Sequence, residues 1–309
     1  MTAAAAARAA PPSVRVASAL IVFCACCFGS ITLFAIVATR NGATLLALLT
    51  WRYLLALIVL AVIARHTLLA RDNRSRIWPV VIFAGGAQAA IAYLSLAALE
   101  YMSAATLGFL FYTYPAWVAL IAAVRRTEPL TPVRLGALAL SLTGIVIMVG
   151  SPWAQPIPLP GLLLALGSAF LYAVYIPTIA RLQVGLEPAA VSAYICVGAG
   201  AVYLAAGAAT GALGNLILPS VLAWLAAVGI AILSTVISFI AFLRALPVLG
   251  SVRTAIICTV EPFYTALAAA LLFSQPLTPS TIGGGILIAS AVVLLQLGSG
   301  REAGATVAA

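Results

Sequence analysis

The 309-residue chain contains no lysine, one histidine (His66) and one aspartate (Asp72), and only 7% of its residues are charged. A soluble domain carries about 25% charged residues. Polar surface this scarce cannot cover a water-facing exterior. Because 65% of the residues are hydrophobic and the mean hydropathy is +1.22, the solvent for most of the chain is lipid. Without lysine there is no phosphate-cradling glycine-rich loop of the nucleotide-hydrolysing type, so ATP is not the expected energy source. With so few acids and one histidine, no carboxylate pair, metal-ligand spacing or nucleophile–base set appears. The chain is therefore not expected to be an enzyme, to have catalytic residues, or to need a cofactor or metal. The five cysteines, Cys24, Cys26, Cys27, Cys196 and Cys258, all lie in apolar stretches. That placement is unlike the loop-rich disulfide framework of a small secreted domain, and they are expected to be buried thiols. Cys24, Cys26 and Cys27 have no His or Met beside them to complete a soft-metal site.

What the chain has in abundance is apolar runs. Ten stand out, at 16–38, 43–64, 77–99, 104–124, 132–151, 160–180, 188–208, 220–243, 252–273 and 280–298. Each is about 20 residues, enough to cross a hydrocarbon core of about 30 Å. The expected organisation is a disordered cytoplasmic N-terminus over 1–15, a first five-helix repeat over 16–151, a second over 160–298, and a cytoplasmic tail over 299–309. The first run is too long for a signal-peptide core and reads as a retained helix.

All fifteen basic residues are arginine, and the net charge is +9. In a soluble protein this excess would point to nucleic acid. Here most of the arginines sit in short connections, which speaks against a nucleic-acid partner. With the N-terminus inside, thirteen fall on the inner side, Arg40 alone falls outside, and Arg52 lies within the second run. This bias predicts a multi-pass protein of the cytoplasmic (inner) membrane with both termini cytoplasmic.

Shifting the sequence by 147 residues superposes the halves. Tyr114-Pro115 falls on Glu261-Pro262, Gly136 on Gly283, Ala98-Leu99 on Ala245-Leu246, and Pro129-Leu130-Thr131-Pro132 on the identical Pro276-Leu277-Thr278-Pro279. Five crossings is an odd number, so the second half enters the membrane from the opposite face. The expected fold is an all-α integral membrane protein of two inverted five-helix repeats, an arrangement that places substrate sites near the midplane.

The same residues resemble a known family. Tyr114-Pro115 through Glu128-Pro129-Leu130-Thr131 to Gly136 and Gly144, and Glu261-Pro262 through Gln275-Pro276-Leu277-Thr278 to Gly283, are similar to the EamA repeat of the drug/metabolite transporter superfamily. Trp51-Arg52 resembles its arginine-containing second helix. The resemblance runs from Val16 to Leu297 and implies ten helices, cytoplasmic termini and export of small metabolites, often amino acids. Two positions depart from the pattern: Gln275 replaces the usual acid, and Phe28-Gly29 stands where Trp-Gly is common.

Within the spans, Glu261 is the sharpest signal. A charged group at mid-depth costs about 2.5–3.5 kcal/mol by insertion scales, so it should face a partner or a wet cavity. It reads either as a proton-titrating or ammonium-binding carboxylate, or as a structural acid beside Pro262. Arg52 reads as a receptor for a substrate carboxylate, as the ion-pair partner of Glu261, or as a cap on broken-helix carbonyls. Pro115 and Pro262 are expected to kink their helices, because proline removes a backbone donor. Tyr112, Tyr114, Gln88, Tyr93, Tyr172 and Tyr175 are the remaining substrate-binding candidates; on a regular helix Tyr112 and Tyr114 would point about 200° apart. Gly283, Gly284 and Gly285 allow close helix contact, within one chain or at a dimer seam.

The sequence therefore reads as a secondary transporter exporting small metabolites, amino acids foremost, by alternating access. A different solute class (nucleobase or cationic drug), a channel and a lipid-handling scaffold stay open. Expected partners are a small-molecule substrate, membrane lipid and, as a candidate coupling ion, the proton. The chain is expected to be a monomer or weak homodimer.

Overall fold

A computed structural model describes residues 12–68, 74–149, 157–274 and 277–307. Among the described residues ten helices are long and apolar enough to cross a membrane: α1 Val14–Arg40, α2 Leu45–Ile63, α3 Arg76–Ala98, α4 Thr106–Arg125, α5 Pro132–Val149, α6 Leu159–Leu182, α7 Pro188–Ala209, α8 Val221–Leu249, α9 Ser251–Phe273 and α10 Pro279–Gly298. Among the described residues there is no strand. Each span lies within a few residues of its expected place, and the last helix continues to Val307. The N-terminal segment expected to be disordered lies, up to residue 11, outside the described residues, as does Gln275.

Leu, Val, Ile and Phe cover much of the outer surface; Ile58, Phe83, Val124 and Leu271 are among the exposed side chains. Only lipid makes such a surface stable. Inside, α1 packs on α8 and α9, α2 on α7, α3 on α6 and α7, and α5 on α10. Small residues bring these helices close. A Cβ placed on Gly198 of α7 would lie 2.0 Å from the carbonyl oxygen of Val81 in α3, and one on Gly85 would lie 2.7 Å from the Cα of Gly198. Gly284 of α10 meets the backbone of Gly144 in α5, and Gly285 meets the Phe263 ring. Gly284 and Gly285 are thus used for packing within the chain, while Gly283 faces open space. The third helix of each repeat carries a π-helical turn, Val80–Gly85 in α3 and Ile232–Ile237 in α8. Such turns insert one residue and re-aim the side chains around them.

The proline expectation is corrected in one respect. Pro115 and Pro262 do not bend continuous helices; they restart broken ones. The α4 span is made by two helical pieces, Ala104–Phe111 and Tyr114–Arg125, and α9 by Ser251–Cys258 and Val260–Phe273. Proline has no N–H to offer the carbonyl four residues earlier. Those carbonyls belong to Phe111 and Cys258, the last residues of the two first pieces. Each break therefore falls where the backbone donor is missing.

The two broken helices begin differently. Ser103 caps α4 itself, accepting from the Thr106 N–H at 3.2 Å. The position equivalent to Ser103 in the second repeat is Gly250, with φ +76° and no side chain to cap with. There Glu128, from the α4–α5 loop of the first repeat, accepts from the N–H groups of Ser251 at 2.6 Å and Val252 at 3.3 Å. Arg134 stands 3.7 Å from the same carboxylate. A carboxylate at a helix start is stabilised by the unpaired N–H groups and the helix dipole. Glu128→Ala is expected to lower stability by about 0.5–2 kcal/mol, the usual worth of such a cap. Ser103→Ala should cost a similar amount. Thermal unfolding in detergent measures both, and an unchanged midpoint for Glu128→Ala would show that the cap contributes nothing.

Candidate functional site

The helix breaks bring most of the candidate site residues together. At the α9 break the Thr259 N–H turns back to the Ile256 carbonyl at 3.2 Å, which leaves the Ala255 carbonyl without its helical donor. The Tyr114 hydroxyl, at the other break, donates to that carbonyl at 3.3 Å. One buried hydrogen bond thus joins the discontinuities of the two repeats.

Around Tyr114 the first repeat and α6 build an aromatic wall. Tyr114 is fully buried, and its ring meets Tyr172 edge-on at 4.7 Å. Phe111 lies 5.6 Å from Tyr172, which stacks on Tyr175 at 6.0 Å. Tyr112 and Tyr114 do not diverge: both are buried, with ring centroids 6.3 Å apart. The regular-helix expectation fails because Tyr112 and Thr113 are the break itself.

Glu261 of the second repeat, with small and polar neighbours from α1 and α9, lies beside these rings. Glu261 occupies the position equivalent to Tyr114. Its carboxyl faces the Tyr112 hydroxyl, with Cys24 and Cys258 nearby. Thr265 ties this part of α9 to α1, donating to the carbonyls of Glu261 at 3.0 Å and Gly29 at 3.2 Å. Gly29 belongs to the Phe28-Gly29 departure noted in the sequence. A Cβ there would come 2.6 Å from Thr265 Oγ1, so α1 needs glycine to pack beside Glu261.

Arg52 is 3% exposed. Its Nε donates to Thr235 Oγ1 at 2.9 Å, and its guanidinium lies over the Tyr53 ring, 5.1 Å from the centroid. Thr235 sits in the π-helical turn of α8 and donates its own proton to the Ile230 carbonyl at 3.1 Å, leaving its oxygen free to accept from Arg52. Among the described residues Arg52 and Glu261 form no ion pair within 4.0 Å, so the reading of Arg52 as the direct partner of Glu261 is not realised. The two still influence each other electrostatically. The Nη groups of Arg52 donate to none of the described residues, and they retain a little accessible surface.

Gln88, on α3, approaches the buried Tyr53 hydroxyl. Tyr93 is 63% exposed and stands apart from the cluster. The structure thus gathers Glu261, Tyr112, Tyr114, Tyr172 and Tyr175 at the breaks and places Arg52 and Gln88 around Tyr53. Phe111 and Thr235 are legible in the sequence among the aromatic and polar residues that cluster around the two prolines; Tyr53 is the part of this arrangement that the sequence reading missed. The 147-residue offset held a usable signal, because it pairs Thr235 with Gln88 across the repeat. Arg253, counted with the loop arginines, is in fact buried in α9, where it donates to the Leu295 carbonyl at 2.6 Å. Among the described residues no group of three His, Cys, Asp or Glu side chains converges on a metal site.

Ten spans in two five-helix repeats, with discontinuous helices meeting at buried polar groups, define the class of inverted-repeat membrane transporters. The sequence model of the EamA-like transporter family matches residues 16–150 and again residues 159–297, and the chain belongs to that family. A solved structure described as "Crystal structure of protein" covers 92% of this chain and 98% of its own, with TM-score 0.72 and 21% identity. That likeness is one of fold. No curated protein matches the chain in sequence.

Proposed function

We propose that this chain is a secondary transporter that exports small zwitterionic metabolites, amino acids foremost, across the cytoplasmic membrane by alternating access. The carrying observation is that the half-buried Glu261 carboxyl and the buried Arg52 guanidinium both lie among the helices and, among the described residues, form no ion pair with each other. A molecule bearing both an ammonium and a carboxylate satisfies both groups at once. Charge-assisted hydrogen bonds of this kind contribute about 1.5–3 kcal/mol each. The aromatic wall of Phe111, Tyr112, Tyr114 and Tyr172 offers apolar surface for the rest of the solute. Alternating access is supported by the matched breaks in α4 and α9, since two similar halves can exchange roles around a fixed site. The arginine distribution supports cytoplasmic termini.

Counterflow in proteoliposomes loaded with amino acids, nucleobases or cationic drugs tests the reading. Exchange of amino acids above the other classes is expected. A well-folded protein that exchanges only cations or nucleobases refutes the substrate class, and conductance without saturation or exchange refutes the carrier.

A further inference from the structure

A second feature lies outside the central site. Where α3 and α7 touch at Gly85 and Gly198, their backbones leave no room for a Cβ. Beside this crossing, toward the α2–α3 connection, α2, α3 and α7 line an open groove of about 510 Å³. Leu57, Val81 and Val197 give it apolar walls. The Tyr194 hydroxyl is occupied by the Leu68 carbonyl at 2.5 Å, so the groove receives the apolar ring. Arg65 and Trp78 also line it, and both are exposed.

Arg65 donates from Nε to His66 Nε2 at 3.0 Å, and its Nη groups donate to none of the described residues. The nearby acid, Glu187, is engaged by the Thr67 hydroxyl, and Arg76 is turned away to the Val184 carbonyl at 2.5 Å. The groove therefore combines apolar walls, an exposed tryptophan and a guanidinium whose Nη groups meet no acceptor among the described residues.

We propose that this groove binds one anionic glycerophospholipid, with an acyl chain between α2, α3 and α7 and the phosphate on Arg65. Tryptophan at headgroup depth and basic pockets between membrane helices suit this ligand. A guanidinium can hold two phosphate oxygens in parallel. A zwitterionic lipid fills the same groove but brings its own cation to Arg65, so the site selects on headgroup charge.

Native mass spectrometry of the full chain in detergent, titrated with phosphatidylglycerol or phosphatidylcholine, tests the assignment. Wild type should bind one phosphatidylglycerol in preference to phosphatidylcholine. Arg65→Gln should weaken phosphatidylglycerol binding about fivefold and leave phosphatidylcholine unchanged. Arg181→Gln, at another exposed arginine, should keep the wild-type preference. Val197→Trp, which fills the groove but retains Arg65, should lose tight binding of both lipids. The proposal is overturned if wild type shows no preference, if Arg65→Gln retains it, if Arg181→Gln loses as much, or if Val197→Trp binds as wild type does.

Discussion

Glu261→Gln is expected to flatten the pH dependence of counterflow and to raise the half-saturating concentration of an amino acid by about 10- to 100-fold. The second figure follows from losing a charge-assisted hydrogen bond of about 1.5–3 kcal/mol to the substrate ammonium. Glutamine nearly matches glutamate in shape and can still accept from the Tyr112 hydroxyl, so packing at the break should survive. What it lacks is the charge and the capacity to exchange a proton. Thermal unfolding of the variant should match wild type, which separates a functional carboxylate from one that merely props open the α9 break. If the variant transports with wild-type affinity and an unchanged pH profile, Glu261 is a structural acid and the zwitterion reading loses one of its two anchors.

Gly198→Val is expected to have the largest effect on stability. The added Cβ would lie 2.0 Å from the Val81 carbonyl oxygen and 2.9 Å from the Gly85 Cα, both backbone atoms that cannot swing aside. The helices must separate, and overpacking of this kind costs about 1–3 kcal/mol or more. Gly283→Ala is the matched control. Nothing lies within 4 Å of the new Cβ, so it should leave the unfolding midpoint unchanged or slightly raise it. Equal midpoints for Gly198→Val and wild type would mean that the α3–α7 crossing is not a tight contact in the membrane.

Much of the fold was legible because hydrophobic length is a strong, local signal. The runs found the ten spans to within a few residues, and the Pro-Leu-Thr-Pro repeat gave the pairing of halves. The breaks were half legible. Pro115 and Pro262 marked them, but proline alone does not say whether a helix bends or restarts. That depends on whether Phe111 and Cys258 can end a helix while their neighbours turn. Tyr112 shows the consequence: helical periodicity does not give its direction, because the periodicity stops at Tyr112 and Thr113. Arg52 and Glu261 were legible as isolated charges in apolar runs, but not as an unpaired set. Arg52 is instead held by Thr235 in a π-helical turn, and nothing in Ile232–Ile237 announces an inserted residue. Glu128 was legible as a motif residue. Its role as a cap for the other repeat required knowing that Gly250 has no side chain of its own to offer and lies beside it.

The central claim, that the site holds a zwitterion between Arg52 and Glu261, is tested most directly by competition in proteoliposome counterflow. An exchanged amino acid would be challenged by its amine analogue, which lacks the carboxylate, and by its carboxylic acid analogue, which lacks the ammonium. Strong competition by unlabelled amino acid, with each half-analogue about tenfold or more weaker, is the predicted result. Equal competition by either half-analogue and the whole amino acid would contradict it.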